Sequence, residues 1–322
     1  MKEKDFFSDI KSGLQGLVGE DCVAELVQID KNNGVKAEGI IVKDDKNYIS
    51  PVIYLDTYYE QYKKGKAEND IINEIYQIYQ KYSCEINLDL DIKIQDLNNY
   101  EKIKKKVAYK LINYEKNEEI LLNIPYIHFL DLAIVFFVMV SCQKDSGIKN
   151  AAFPIRKEHL KTWGVAVEDI YRDALYNTPD LFPFVISPMG NLLAELICKE
   201  LKGDIFEETD GERMQNEFER LQKEYDSGVY VLTNTKNING ASCMLYKNVI
   251  KEFAEKEHTD FYIIPSSIHE VLLFPISDKR VTAEDLKGMV IQVNRTEIDE
   301  YEILSDNIYY YNSENDSITI VF

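Results

Sequence analysis

The sequence predicts an α+β fold of mixed α/β character, in which two mostly antiparallel or mixed sheets pack against helices. Two observations predict this class. Apolar residues at helical spacing alternate with β-rich runs that are bounded by Asn, Gly and Pro. From Gly228 onward the expected order is strand, loop, helix, two strands, helix and two final strands, which is typical of a mixed class.

The first half should mix helices and strands around a hairpin. Asn33 and Gly34 supply the positive φ angles that a tight reversal needs. We interpret the tyrosine stripes of the next two helices as core packing, with a ligand-stacking wall as the alternative. The last apolar run is expected to be a buried strand or a short core helix. The expected elements are a helix at 3–17, a hairpin of 22–30 and 35–43, helices near 58–62 and 71–82, strands at 85–95, 107–114 and 119–124, and the apolar run 129–140.

The second half should begin after a polar break at residues 143–150, because this stretch contains glycine and is flanked by apolar runs. We therefore expect an N-terminal α+β domain at 1–145 and a C-terminal α+β domain at 150–322. Asn177, Thr178 and Pro179 should end a helix that begins at Val167. The expected helices are 156–163, 167–176, 189–201, 245–256 and 282–294, with strands near 230–233, 261–264, 271–274, 308–311 and 318–322.

Composition restricts the classes of partner. The 322 residues include 56 Asp and Glu against 37 Lys and Arg, a formal net charge of −19. Because such a surface repels phosphate groups, we expect no direct nucleic-acid binding and instead a protein partner with a basic surface. Five scattered cysteines, without a C-x-x-C pair, are typical of free thiols in a reducing compartment. With no signal-like N-terminus and no apolar run long enough to span a bilayer, the sequence predicts a cytoplasmic protein away from the membrane. We also expect no cofactor.

Two groups of carboxylates are candidate sites. Asp89 and Asp91 would share one face of the strand 85–95 and could hold a hard cation such as Mg²⁺, although a solvated face with Lys93 as counter-charge is the simpler interpretation. The acidic segment 203–228 within the second domain could engage a basic partner or simply be solvated. Its candidate binding residues are Glu207, Glu208, Asp210 and Glu212.

The stretch PSSIHE, residues 265–270, places two hydroxyls, an imidazole and a carboxylate within six residues. Ser267 and Glu270 have the spacing of a capping box, which predicts a one-turn helix between two strands. Ser266, His269 and Glu270 could instead form a catalytic group or line a binding pocket, because a nucleophile needs a nearby base and an orienting group. We favour the structural turn, since no G-x-S-x-G elbow accompanies these residues.

Six further motifs stand out, and they are WGVAVEDIYRDALYNTP (163–179), LFPFVISPMG (181–190), YVLTN (230–234), GASCMLY (240–246), FYIIPSSIHEVLLFP (261–275) and LSDNIYYYN (304–312). Together they resemble an uncharacterised bacterial family, domain-of-unknown-function family 5688. The second half is also distantly similar to the YtpQ-like uncharacterised family. Neither resemblance supplies catalytic residues. They imply a bacterial cytosolic accessory protein, linked to mobile elements or host defence.

Two function classes follow. The first, which we favour, is a non-enzymatic interaction protein that captures a basic protein through an acidic surface. The second is a hydrolase-like enzyme with its site at Ser266, His269 and Glu270. A structure discriminates between them, because catalytic side chains must converge in a concave site.

Overall fold

The computed structural model describes residues 3–44, 52–85, 94–141, 150–204, 211–276 and 281–321. The chain divides into two compact units. The first unit comprises residues 1–97 and 139–152, and the second comprises residues 98–138 and 153–322. Most of the polar break at 143–150 lies outside the described residues, so the domain boundary expected there stays a prediction.

The described part of the first unit combines helices with a three-stranded antiparallel sheet of order β1-β2-β3. Asn33 and Gly34, with φ of 61° and 72°, reverse the chain between the first two strands, as the sequence predicts. Helix α1 buries Phe6, Ile10 and Leu14 because they recur on one face. The elements are α1 (Glu3–Val18), β1 (Cys22–Asp30), β2 (Lys36–Asp44), β3 (Ile53–Tyr54), α2 (Asp56–Lys63) and α3 (Glu68–Glu85).

The tyrosine stripes of α2 and α3 pack against this core. Tyr59 and Tyr62 lie against the ring of Phe6, with centroids 5.4 and 4.9 Å away. Tyr76 and Tyr79 pack against the same apolar cluster, and Tyr79 also contacts the Cys22 thiol at 3.3 Å. The interpretation of these stripes as core packing is confirmed.

The rest of the described chain forms two further sheets with helices around them. One sheet has the order β4-β6-β5 with β7 beside β6, and the other has six strands in the order β13-β12-β10-β11-β9-β8. The elements are α4 (Tyr100–Ile103), β4 (Val107–Asn113), α5 (Glu118–Leu121), β5 (Tyr126–Phe129), β6 (Leu132–Ser141), β7 (Asn150–Pro154), α6 (Lys157–Trp163), α7 (Val167–Leu181), β8 (Phe184–Pro188), α8 (Met189–Asp204), α9 (Gly211–Glu224), β9 (Tyr230–Asn234), α10 (Val249–Glu257), β10 (Phe261–Ile264), β11 (Val271–Pro275), α11 (Ala283–Thr296), β12 (Tyr309–Asn312) and β13 (Ser317–Ile320).

The α+β class is therefore confirmed, with antiparallel pairing in the six-stranded sheet between each strand and its neighbour. The apolar run 129–140 forms the end of β5, the turn that follows it and most of β6. Among the described residues, no helix is both long and apolar enough to cross a membrane.

Two local predictions are wrong. Residues 119–124 were expected to form a strand, but the chain forms the short helix α5 there, because side-chain hydrogen bonds from Asn113 and Asn117 turn it immediately after β4. Helix α7 does not end before Asn177 but continues through Pro179. It tolerates this proline near its last turn, where the Asn177 side chain donates to the carbonyls of Lys104 and Val107.

Candidate functional site

The PSSIHE segment joins β10 to β11, which are adjacent antiparallel strands. The predicted helical turn with its capping box is wrong, since the segment contains no helical residue. Its backbone groups are satisfied instead by a second stretch, residues 302–305, which begins at the last residue of a 3₁₀ turn. Ile268 N donates to Glu302 O at 2.9 Å, and Leu304 N donates to Ser266 O at 3.0 Å. Because these partners come from a distant part of the chain, no helical turn is needed to satisfy the backbone.

Ser267 stabilises the turn itself. Its side chain is 3% exposed, and its Oγ accepts a hydrogen bond from the His269 backbone N–H at 3.0 Å. This turn, in which a serine hydroxyl accepts from the backbone N–H two residues later, takes the place of the predicted capping box. The Ser267 hydroxyl is therefore engaged by the backbone rather than by an imidazole.

His269 pairs with a carboxylate that lies outside its own segment. Its Nε2 faces Glu302 Oε1 at 3.5 Å. Within the described residues, its Nδ1 is buried and has no hydrogen-bond partner. The structure thus brings His269 to Glu302 and does not bring the hydroxyl of Ser266 to the ring.

Glu270 completes a group that we call the His–Glu cluster, consisting of His269, Glu270 and Glu302. Burial raises the pKa of Glu270, the nearby negative charge of Glu302 raises it further, and His269 opposes both effects. Next to the cluster, burial and a hydrogen bond to Asp299 raise the pKa of Tyr301 to about 12. The cluster offers mainly hydrogen-bond acceptors and negative charge, which suits a cationic group better than an anion.

The 240–245 turn supports PSSIHE from the side of β9. Ala241 N donates to Ile268 O at 3.2 Å, and Thr233 Oγ1 donates to His269 O at 2.8 Å. A Cβ added to Gly240 would lie 2.2 Å from Thr233 Oγ1 and 2.3 Å from His269 O, so only glycine allows this approach. Burial raises the pKa of the neighbouring Cys243 thiol to about 12, which leaves it protonated and unreactive at neutral pH.

Asp131 anchors the other partner of PSSIHE, the stretch around residue 305. It accepts hydrogen bonds from Ser305 Oγ at 2.5 Å, from Asn307 Nδ2 at 2.9 Å and from the Tyr309 hydroxyl. Tyr309 is fully buried, and burial together with the Asp131 charge raises its pKa. Three donors on one carboxylate fix the 305–309 stretch against the β5–β6 turn.

The predicted carboxylate sites fall mostly outside the described residues. Asp89 and Asp91 lie outside them, and among the residues that are described no group of three or more His, Cys, Asp or Glu could hold a metal ion. Of the acidic candidates, Glu207, Glu208 and Asp210 also lie outside the described residues, whereas Glu212 lies in the first turn of α9.

Farther along α9, charges of opposite sign pair with one another. Arg220 bonds to Glu217 and Glu224 on the exposed face, and this contact lowers the pKa of Glu217. Leu221 packs against α8 on the other face. Helix α9 is therefore amphipathic and carries four acidic and three basic residues.

A cavity of about 230 Å³ lies where β8, α8 and α9 meet. Its polar lining includes Asn191, Gln222, Lys223 and Asp226. Gln222 Nε2 donates to Asn191 Oδ1 at 2.6 Å, so two of these side chains already satisfy each other. Because Lys223 and Asp226 carry opposite charges, the lining favours neither an anionic nor a cationic ligand.

A family model described as "Family of unknown function (DUF5688)" matches residues 3–313. The chain belongs to this family. No curated protein and no solved structure matches the DUF5688 chain.

Sequence reasoning missed Asp131 and Glu302 of this DUF5688 protein as partners. Asp131 could have been found, because it is the one charged residue of the apolar run 129–140. Glu302 gives no comparable signal, because it is one of several carboxylates between residues 297 and 302. Only the pairing of residues 302–305 with PSSIHE distinguishes it from its neighbours.

Proposed function

We propose that this DUF5688 protein is a non-enzymatic accessory protein of the bacterial cytoplasm, and that it holds a protein partner with a basic surface. The observation that carries the proposal is that the side chains of Ser267 and His269 in PSSIHE already contact partners inside the chain. Ser267 Oγ accepts from a backbone N–H, and His269 faces Glu302 at 3.5 Å rather than a serine. A nucleophile would need a base within hydrogen-bond reach of its hydroxyl.

The negative net charge supports a partner with a basic surface. A net charge of −19 attracts basic surfaces and repels nucleic acid. The same proposal includes a role beside mobile elements or in host defence. It also includes a distant similarity of the second half to the YtpQ-like family.

The test is capture from a host lysate, followed by mass spectrometry, with charge-neutralised variants. Replacing Glu207, Glu208, Asp210 and Glu212 by their amides should remove the captured partner. A matched control changes the same number of exposed carboxylates in the first unit and should retain it. The control set is Glu3, Asp5, Asp9 and Glu20.

Two results would contradict the proposal. Equal capture by the two variants and the parent would exclude the acidic segment as the binding surface. A shift of duplex DNA at micromolar protein and physiological salt would overturn the expectation that nucleic acid is not bound.

The second candidate function is a hydrolase-like enzyme at Ser266, His269 and Glu270. The raised pKa of Glu270 and the unpartnered Nδ1 of His269 favour it, because perturbed titratable groups are frequent at active sites. Ester hydrolysis that is lost in His269→Ala, while the melting temperature is unchanged, would establish this function over binding.

A further inference from the structure

Helix α11 exposes two apolar side chains on one face. Met289 is 59% exposed and Val293 is 39% exposed, and their spacing of four residues places them side by side. The neighbouring face buries Leu286 and Val290 against the six-stranded sheet. Isolated exposed apolar residues are common on proteins, but a contiguous pair on one helix face is a candidate contact surface.

Carboxylates bracket the apolar pair. Asp285 lies four residues before Met289, and Glu297, the residue after the helix, lies four residues after Val293, so these positions follow one i, i+4 row. We call these residues the α11 stripe. The Asp285 carboxylate also accepts hydrogen bonds from Thr282 N and Thr282 Oγ1 at the start of the helix. Glu297 follows the last residue of the helix, where the helix dipole disfavours a negative charge. Over residues 282–302 there are six Asp and Glu against two Lys and Arg, so the surroundings are also acidic.

We propose that the α11 stripe is a docking surface for an amphipathic basic helix of the protein partner. The inference rests on the proposed function and adds a second contact surface to the acidic segment 203–228. The apolar pair would form a ridge that packs between side chains of the partner helix. Lys or Arg on both sides of the partner's apolar stripe would face the carboxylates at the two ends of α11.

The test measures binding of a defined probe to the full chain by fluorescence anisotropy. The probe is a labelled Leu/Lys peptide of about 18 residues whose leucines form one helical stripe. We expect the variant carrying Met289→Ser and Val293→Ser to bind about tenfold more weakly than the parent.

The matched control is Leu196→Ser on α8, because Leu196 is also 59% exposed. It should bind the probe as the parent does. A peptide of the same composition with scrambled order, and hence the same charge without the stripe, should bind weakly to every variant. Equal binding of the ordered and scrambled peptides to the parent would show attraction by charge alone and would overturn the inference, as would equal binding of the ordered peptide by all variants.

The failure of this inference is distinguishable from the failure of the proposed function. If the amide variant of the 207–212 carboxylates loses the lysate partner while Met289→Ser with Val293→Ser retains it, the partner binds elsewhere and only the α11 stripe is excluded. If the parent captures no partner and hydrolyses esters, the proposed function itself fails.

Discussion

Gly240→Ala would place a methyl group between Thr233 Oγ1 and His269 O, two atoms that share a hydrogen bond. Thr233 Oγ1 donates to His269 O at 2.8 Å, and the new Cβ would lie 2.2 Å from the first atom and 2.3 Å from the second. One of these atoms is a backbone carbonyl, and the Cα of Thr233 lies 3.0 Å away as well. The clash therefore cannot be relieved by rotating one flexible side chain.

The expected loss of stability has two parts. Overpacking a site that cannot yield costs about 1–3 kcal/mol. Breaking the hydrogen bond between Thr233 and His269 costs about 0.5–1.5 kcal/mol more. Alanine also lowers the conformational entropy of the unfolded chain, which offsets this loss of stability by about 0.4–1 kcal/mol. We expect the free energy of unfolding to fall by about 0.5–4 kcal/mol, and the melting temperature by about 1–16 °C for a unit of this size.

Urea unfolding followed by circular dichroism measures this change directly. Gly288→Ala is the matched control, because the same methyl group there meets nothing within 4 Å. It should leave stability unchanged or raise it by about 1 kcal/mol. If Gly240→Ala unfolded at the same urea concentration as the parent, the close packing of the 240–245 turn against PSSIHE would be refuted.

Two further substitutions separate turn stability from charge. Ser267→Ala leaves the His269 backbone N–H without its acceptor, and it should lower the free energy of unfolding in urea by about 1–2 kcal/mol. Ser266→Ala should stay within about 0.5 kcal/mol of the parent. A larger loss from Ser266→Ala would contradict the assignment of Ser267 as the serine that stabilises the turn. Glu270→Gln should raise stability near neutral pH, because a raised folded pKa means that ionisation opposes folding there. The gain should disappear in unfolding curves below about pH 4, where the carboxyl is protonated in both states, and a gain that does not depend on pH would exclude the charge as its cause.

Much of the fold could be predicted because its signals are local. The positive φ angles of Asn33 and Gly34 follow from residue type, and the buried face of α1 follows from spacing. The error at residues 119–124 arose because a short apolar run suits a strand and a buried helical turn equally well. What decided it was the pair of bonds that Asn113 makes with the following turn, which spacing does not reveal.

The candidate site could be predicted only in part. Sequence reasoning selected Ser267, His269 and Glu270 correctly as a turn between two strands, but it paired Ser267 with Glu270 because a capping box is a local motif. The actual partner, residues 302–305, is separated from PSSIHE along the chain by β11 and α11. Such pairing depends on sheet order, which one sequence read alone does not define.

The features that lower stability are more informative about function than those that raise it. Ser267 and Asp131 are explained by the hydrogen bonds they make inside the chain. By contrast, the burial of Glu270 opposes its ionisation, and Gly288 weakens a helix that would accept alanine. Local rules are broken mainly where a binding surface or a site requires it, because stability alone would favour other residues. The His–Glu cluster and the exposed side of α11 are therefore the two described surfaces on which tests of function should begin.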